Sequence, residues 1–452
     1  MPPAICFQSI WGRWGMSDYE LRKLADLLLV PISGTRPAGG VSNETEGMPS
    51  LGGENIVQEG GMTYREVKKI PEKFFNQIGK CHLKPGDVLI NKDGAQTGKV
   101  GIYGGEFPRA AINEHLFILR AKNVSELSQR YLYYSLLLPK TQLKIHSRIT
   151  GSAQPGLNSS FVDAVDIPFR KLSTQKVMVS YLQLLDDLIT KTEALTTKLT
   201  KVKNGLMHDL FTRGVTADSE LRPPRDKAPD LYKETPIGWI PKEWEVSELG
   251  LRISVIDPNP SHRYPDEVED GIPICSTENF RGDDDFDLTK SKCVSQITFE
   301  EQSVRCNFSP TDVIFARKGK IGLARRYAEG SKVFSHTVVV IKPLDATVDE
   351  DWLLWLARSQ WVMDGIRTSM NTNLGVPTLG VSFINKLQLP FPQTNEQEII
   401  AKQLDAVARK ITQEIAELIK LRRLKSGLMH DLLTGKKPVD DIVLDPPEPS
   451  HV

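Results

Sequence analysis

Two nearly identical octapeptides, GLMHDLFT at Gly205 to Thr212 and GLMHDLLT at Gly427 to Thr434, lie 222 positions apart. Such a repeat constrains the fold more than any composition statistic, because like sequences must build like units. The match runs backwards through both halves in constant order. Tyr19-Glu20 with Leu24 pairs with Trp244-Glu245 and Leu249. Gly47-x-Pro49-x4-Glu54-Asn55 pairs with Gly271-x-Pro273-x4-Glu278-Asn279. QIGKCHLKPGDVLI (Gln77 to Ile90) pairs with QSVRCNFSPTDVIF (Gln302 to Phe315), GKVG at Gly98 with GKIG at Gly319, and His115 with His336. FVDAVDIPF (Phe161 to Phe169) pairs with FINKLQLPF (Phe383 to Phe391). The offset drifts only between 221 and 225.

Each repeat divides in two. Its first part holds short apolar runs such as DVLI, LFILR, DVIFA and TVVVIK between Gly, Pro, Asn and Asp clusters, the pattern of strands joined by turns. A helix is expected to follow in each, over SELSQRYLYYSLLL and DEDWLLWLARSQWVMDGI. The second part reads as one long helix, about Thr174 to Phe211 and about Asn395 to Leu433. Leu182, Leu185, Ile189, Leu199, Val202 and Leu206 share a face of the first. Leu404, Val407, Ile411, Leu421, Leu424 and Leu428 are their counterparts on the second. With Thr192 and Leu195, or Ile415 and Leu418, every spacing is three or four, as in a coiled coil. Neither stripe can be buried alone, so the two helices are expected to pack antiparallel about a pseudo-twofold. A helix of about 38 residues spans ~57 Å, longer than the ~34 Å of one DNA turn.

The expected fold is α/β (mixed α+β): two β-rich globular domains joined by two long antiparallel coiled-coil-like helices. Its divisions are residues 1–170, domain one; 171–214, spacer helix; 215–240, an exposed linker rich in Pro and charge; 241–392, domain two; 393–435, second helical region; and 436–452, a disordered tail.

Length agrees with two domains, since 452 residues exceed one ordinary core. Five cysteines with no CxxC pair argue against zinc or a disulfide framework and for the cytoplasm. The N-terminus does not read as a signal peptide, and Met16 is an alternative start. No apolar run approaches the ~20 residues of a membrane helix.

Several chemical motifs fail on inspection. DGAQTGKVG (Asp93 to Gly101) resembles a phosphate loop, but only Ala95, Gln96 and Thr97 separate Gly94 from Gly98, and Val100 follows Lys99. A phosphate loop needs four intervening residues and a Ser or Thr after the Lys. A glycine turn with a projecting Lys is the better reading. His208 and His430, beside Asp209 and Asp431, fit a buried, interface or helix-capping role. No metal-ligand spacing, nucleophile elbow or catalytic carboxylate pair appears, so no catalytic residue and no metal site is assigned.

The net charge is zero, with 57 basic and 57 acidic residues, so local distribution has to decide. Ala316 to Lys332 carries six Lys or Arg against one Glu; its counterpart, Lys80 to Lys99, carries four Lys against two Asp. KIHSRITGSAQPG (Lys144 to Gly156) matches IRTSMNTNLGVP (Ile366 to Pro377). Phosphates need Lys and Arg, and base edges are read by Arg, Lys, Asn and Gln, so such loops suit DNA. The candidate contacts are Lys92, Lys99, Arg109, Lys144, Arg148 and Gln154 in the first domain. In the second they are Arg317, Lys318, Lys320, Arg325, Arg367, Asn371 and Asn373. Arg263 to Asp287, with nine acids and two bases, should point away from phosphate.

The GxP-x4-EN and PxDV…GK-[VI]-G segments, the IPF and LPF strands, ETPIGWIPKEWEVSELG (Glu234 to Gly250), NEQEIIAKQLDAV (Asn395 to Val407) and both GLMHDLxT closures occur here in order. Together they resemble the specificity subunits of Type I restriction–modification systems over nearly the whole chain. The resemblance implies two target-recognition domains, each reading half of a split double-stranded DNA sequence. It implies helical regions that space the domains and dock two methyltransferase subunits. S-adenosylmethionine would be bound by those partners, and ATP and magnesium by a motor-nuclease subunit, leaving this chain without cofactor or activity of its own. The first long helix opens LSTQKVM, without the acid that Glu396 supplies in the second, a departure expected to weaken one partner contact. Two rival readings remain open: a coiled-coil adaptor with protein-binding heads, and a nucleotide-binding enzyme using Gly94 to Lys99.

Overall fold

The computed structural model describes residues 20–38, 46–57, 60–151, 155–370 and 378–437. Its contacts divide the chain into two compact units, residues 1–192 with 417–452, and residues 193–416. Each is built on the same plan.

In the first unit, Glu20–Lys23 pairs antiparallel with Asp166–Phe169, the strand containing IPF. In the second, Glu245–Glu248 pairs with Gln388–Phe391, the strand containing LPF. Behind each pair lies a four-stranded antiparallel sheet. Its order is Ile32–Ser33, Leu116–Leu119, Val88–Asn91, Val100–Ile102 in one unit. In the other it is Ile253–Ile256, Val338–Pro343, Val313–Ala316, Ala324–Arg326. The strands Val88–Asn91 and Val313–Ala316 are buried along their whole length, which is why they read as continuous rather than alternating apolar runs. A smaller sheet adds a parallel pairing in each: Met48–Leu51 with Ala111–Ile112, and Ile272–Cys275 with Val333–Phe334.

The repeated motifs turn out to be fasteners. Asn55 Oδ1 accepts from Gly52 N (2.9 Å), while its Nδ2 donates to Thr63 O (3.0 Å). Asn279 Oδ1 accepts from Ser276 N (2.8 Å), and its Nδ2 donates to Asp287 O (2.9 Å). Asp87 and Asp312 each accept a backbone N–H three residues upstream at 2.8 Å. Their charges are balanced by Arg120 and Lys342, also 222 apart. Gln175 and Gln397, both fully buried, clamp the start of each long helix to the loop before the domain's own helix. Gln175 accepts from Ser128 N (2.9 Å) and donates to Glu126 O (2.7 Å). Gln397 accepts from Asp349 N (2.8 Å) and donates to Thr347 O (3.0 Å). An orphaned buried amide costs about 1–3 kcal/mol, so these glutamines tie helix to domain firmly.

The long helices run Leu172–Arg213 and Thr394–Leu433. Within each unit the opening turns of one pack beside the closing turns of the other. Met178, Val179 and Leu182 share a core with Leu428, Met429 and Leu432. Ile400, Ala401 and Leu404 share another with Leu206, Leu210 and Phe211. The pairing is therefore antiparallel in sense within each unit.

The seam differs from the expected one at four positions, two on each helix. Leu182, Leu185, Leu404, Ile411 and Leu421 are buried, and Ile189, Leu199, Leu206, Val407 and Leu428 are partly so. Val202 and Leu424 are instead 47% and 43% exposed. The protected positions keep strict steps of three and four, through Thr196 and Lys203 on one helix and through Glu414, Leu418 and Lys425 on the other. Each seam lysine is largely covered and ion-paired, Lys203 to Asp283 and Lys425 to Asp186 (2.6 Å). Long lysine stems bury their methylenes while the ammonium finds a carboxylate. The apolar choices Leu195, Val202, Ile415 and Leu424 were one position out of phase.

The connection between the repeats is also more than an exposed linker. Tyr232–Thr235 and Gly238–Pro241 form a hairpin, and Val215, Tyr232 and Ile240 are buried. Glu396, 6% exposed, holds it in place by accepting from Val215 N (2.8 Å) and Arg222 Nη2 (3.0 Å). Burial disfavours the Arg222 charge, yet hydrogen bonds to Glu396 and Glu243 outweigh it and raise the pKa. Gly214 is needed here: it sits at φ +61, and a Cβ would fall 2.1 Å from the Glu396 carboxylate. Glu396 is thus engaged inside the chain, where it anchors the connector. The tail from residue 438 lies outside the described residues.

Candidate nucleic-acid interface

In each unit the buried central strand runs out into the GK turn. In the first, Asn91 leads to Lys92 and the turn closes at Val100, with Gly94 at φ +76 and Gly98 at φ +91. No phosphate cradle forms; it is a glycine turn between two strands. Three hydrogen bonds fasten it to the loop after the helix Pro139–His146. Gly94 N donates to Pro155 O (3.0 Å), Thr97 Oγ1 to the same oxygen (3.3 Å), and Leu157 N to Lys92 O (2.6 Å). A Cβ on Gly98 would stand 3.3 Å from His146 Nε2, so the approach is close.

The second unit repeats the arrangement. Val313–Ala316 leads into Arg317, with Gly319 at φ +75 and Gly322 at φ +86. Leu379 N donates to Arg317 O (2.9 Å), and Lys318 bridges Thr378. In the first unit the turn is thus brought beside the Lys144 to Gly156 loop, and in the second it meets the chain at Thr378 and Leu379, while residues 371–377 lie outside the described residues.

The individual candidates separate. Lys99 and Arg148 carry no side-chain ion pair among the described residues, and Arg148 is exposed. Lys92 donates to Ser33 Oγ (2.8 Å) and lies 5.2 Å from the centre of the Phe117 ring. Lys144 is turned back onto Asp166. Arg109 is held by Glu72 (2.7 Å) and Asn76 (2.9 Å), beside the Phe75 ring. In the second unit Lys320 is exposed and Lys318 half-buried, both without an ion-pair partner among the described residues. Arg367 is exposed and pairs only with Asp364 on its own helix (3.3 Å).

Two candidates are corrected. Arg317 is 3% exposed, donating from Nε to His336 O (2.9 Å) and from Nη2 to Asp257 (2.7 Å). Arg325 is 7% exposed, donates to Ala324 O (2.9 Å) and lies over the Phe280 ring. Burial and then the neighbouring Arg358 lower its pKa. Both are structural cations that no phosphate can reach. Gln154, Asn371 and Asn373 lie outside the described residues. The histidines His208 and His430 are exposed on their helices rather than buried.

The acidic segment does not form one outward face. Asp283 is ion-paired to Lys203, and Asp284 accepts from Arg358 (2.5 Å) and from Arg326 N (3.2 Å). Burial disfavours the Asp283 charge, but the Lys203 hydrogen bond outweighs it and lowers the pKa. Its second residue, Tyr264, instead meets His336 edge-on, and the His336 carbonyl accepts from Arg317 at the head of the lysine turn.

Two β-rich units of one plan, each fastened to a long helix and each presenting a lysine turn at the end of its buried central strand, define a duplicated recognition scaffold. The chain belongs to the family of the Type I restriction modification DNA specificity domain, whose model matches residues 16–201 and 241–421. It is 24% identical over 444 residues to the Type I restriction enzyme MjaVIII specificity subunit of Methanocaldococcus jannaschii, covering 96% of this chain and 97% of that one. It is also 24% identical over 427 residues to the putative type I restriction enzyme MjaX specificity subunit of the same organism, covering 93% of each. Its fold is similar to that of the Type I restriction-modification system S subunit from M. genitalium, with TM-score 0.61, 14% identity, and 94% and 98% of the two chains covered. Among the described residues no helix is long and apolar enough to cross a membrane.

Proposed function

We propose that this chain is the DNA-recognition subunit of a Type I restriction–modification complex, reading a split and asymmetric sequence with one domain per half. One observation carries the reading: in both repeats a glycine-lysine turn follows the buried central strand, and among the described residues its lysines carry no ion pair. Lys99 and Arg148 in one domain, and Lys318 and Lys320 in the other, are the cations free to meet phosphate. The loops differ in sequence between the domains, so the two half-sites differ.

The chain performs no catalysis itself in this reading. Methyl transfer belongs to two methyltransferase subunits, which bind S-adenosylmethionine, and any cleavage to a motor-nuclease using ATP and magnesium. The long helices offer the methyltransferases a docking strip. Leu184 and Leu188 in the first unit, and Leu195 and Val202 in the second, are 39–50% exposed beside the buried seam. Exposed leucines at helical spacing suit a partner helix. The cytoplasm is where such a complex would meet host DNA.

The test is selection of random duplexes by this chain purified with its methyltransferase subunits. Enrichment of a two-part, non-palindromic sequence supports the reading. Absence of enrichment, with a complex intact by sedimentation, overturns it in favour of an adaptor that holds proteins alone.

A further inference from the structure

We propose that Tyr264 and His262, seated on His336, form the base-reading shelf of the second domain and fix the sequence of its half-site. The inference rests on the DNA-recognition reading above and deepens it by separating readers from phosphate anchors.

The shelf is tethered to the lysine turn. Arg317 Nε donates to His336 O (2.9 Å), while Arg317 N and Lys318 N donate to Thr337 O (3.0 and 3.2 Å). The His262 and His336 rings lie 6.0 Å apart at 29°, and Tyr264 meets His336 at 5.5 Å and 80°. Tyr264 is 54% exposed and the His262 side chain 58%, so both offer polar edges to a ligand.

This placement is enforced. His262 sits at φ +56, a left-handed conformation that few side chains adopt, and Asp257 and Arg317 hold its Nε2 at 3.2 Å each. Local strain kept by surrounding bonds is characteristic of sites where a side chain must be aimed. A guanidinium can only donate and a carboxylate only accept, so Nε2 serves Arg317 or Asp257 according to the tautomer, and Nδ1 faces a ligand as donor or acceptor accordingly. The Asp257 charge is already engaged by Arg317 and does not oppose a phosphate.

The chemistry divides cleanly across a few residues. Lys318 and Lys320 carry fixed charge and suit phosphate, which holds register but not sequence. Tyr264 and His262 carry hydroxyl and imidazole edges, which discriminate bases by hydrogen bonding. Burial, followed by the nearby Lys318, lowers the His336 pKa. The first domain differs here: His115, the counterpart of His336, bonds Asp93 at 2.5 Å instead of supporting rings.

The duplex selection, run with Tyr264→Ala, His262→Asn and Lys320→Ala in the full complex, decides the matter. Asn tolerates a left-handed backbone, so His262→Asn removes the imidazole without forcing the loop. Tyr264→Ala and His262→Asn should each relax preference at one or two base pairs of one half-site by about 5–150-fold, leaving the other half intact. Lys320→Ala should weaken all sequences alike. Retained enrichment of the untouched half-site reports a folded complex; if Tyr264→Ala loses it, Tyr264→Phe removes the hydroxyl alone and is read instead. Unchanged preference in every folded shelf variant, or a uniform loss like that of Lys320→Ala, overturns the inference. A wild-type complex that enriches nothing overturns the DNA reading itself.

Discussion

Lys320 and Arg325 stand five positions apart in one basic run, and the fold gives them opposite fates. Arg325 lies directly across the strand pair from Ile314, a fully buried residue, so its side chain enters the core beside Phe280. Lys320 projects from the turn before that strand and stays exposed. Replacing Lys320 by Ala should reduce the salt slope of DNA binding by about one phosphate contact, across all sequences alike. An unchanged slope would remove it from the interface. Arg325→Ala should instead cost about 1–3 kcal/mol of stability in a urea titration, by stranding the carbonyls it serves, and leave the salt slope as it was. The charge of these residues was legible in the sequence. Their direction was not, because it depends on which strand pairs with which and in what register.

At the scale of elements, the long helices were readable to within two residues, and the seam was readable except where it runs through Thr196, Lys203, Glu414 and Lys425. The sequence reading followed the apolar residues Val202 and Leu424, whereas the packing follows Lys203 and Lys425. A seam that accepts ion-paired lysines cannot be traced by hydrophobicity alone. Leu404→Ala should therefore destabilise the second unit by about 2–5 kcal/mol, while Val202→Ala should change its stability by no more than about 0.5 kcal/mol. Equal losses in urea unfolding would contradict this phase. The motif Asn, Asp and Gln residues present the reverse case. They were visible as repeated letters, but nothing in the sequence said that they fasten loops rather than touch a ligand. Only their hydrogen bonds, repeated in both units, assign them to the scaffold.

At the scale of the whole molecule, the internal repeat was the strongest signal, and it carried the fold class, the two domains and the paired helices together. The connector was the main surprise, since its Pro-rich and charged surface conceals Val215, Tyr232 and Ile240 and an anchor on Glu396. The central claim is that two unlike domains on one chain read two unlike half-sites for a separate methyltransferase. Modified-base sequencing of host DNA, with the methyltransferase expressed in the presence and absence of this chain, tests it most directly. The account predicts a methylated motif of two different halves around a fixed gap that vanishes when this chain is omitted. Methylation that persists without the chain, or a single contiguous motif, would contradict it.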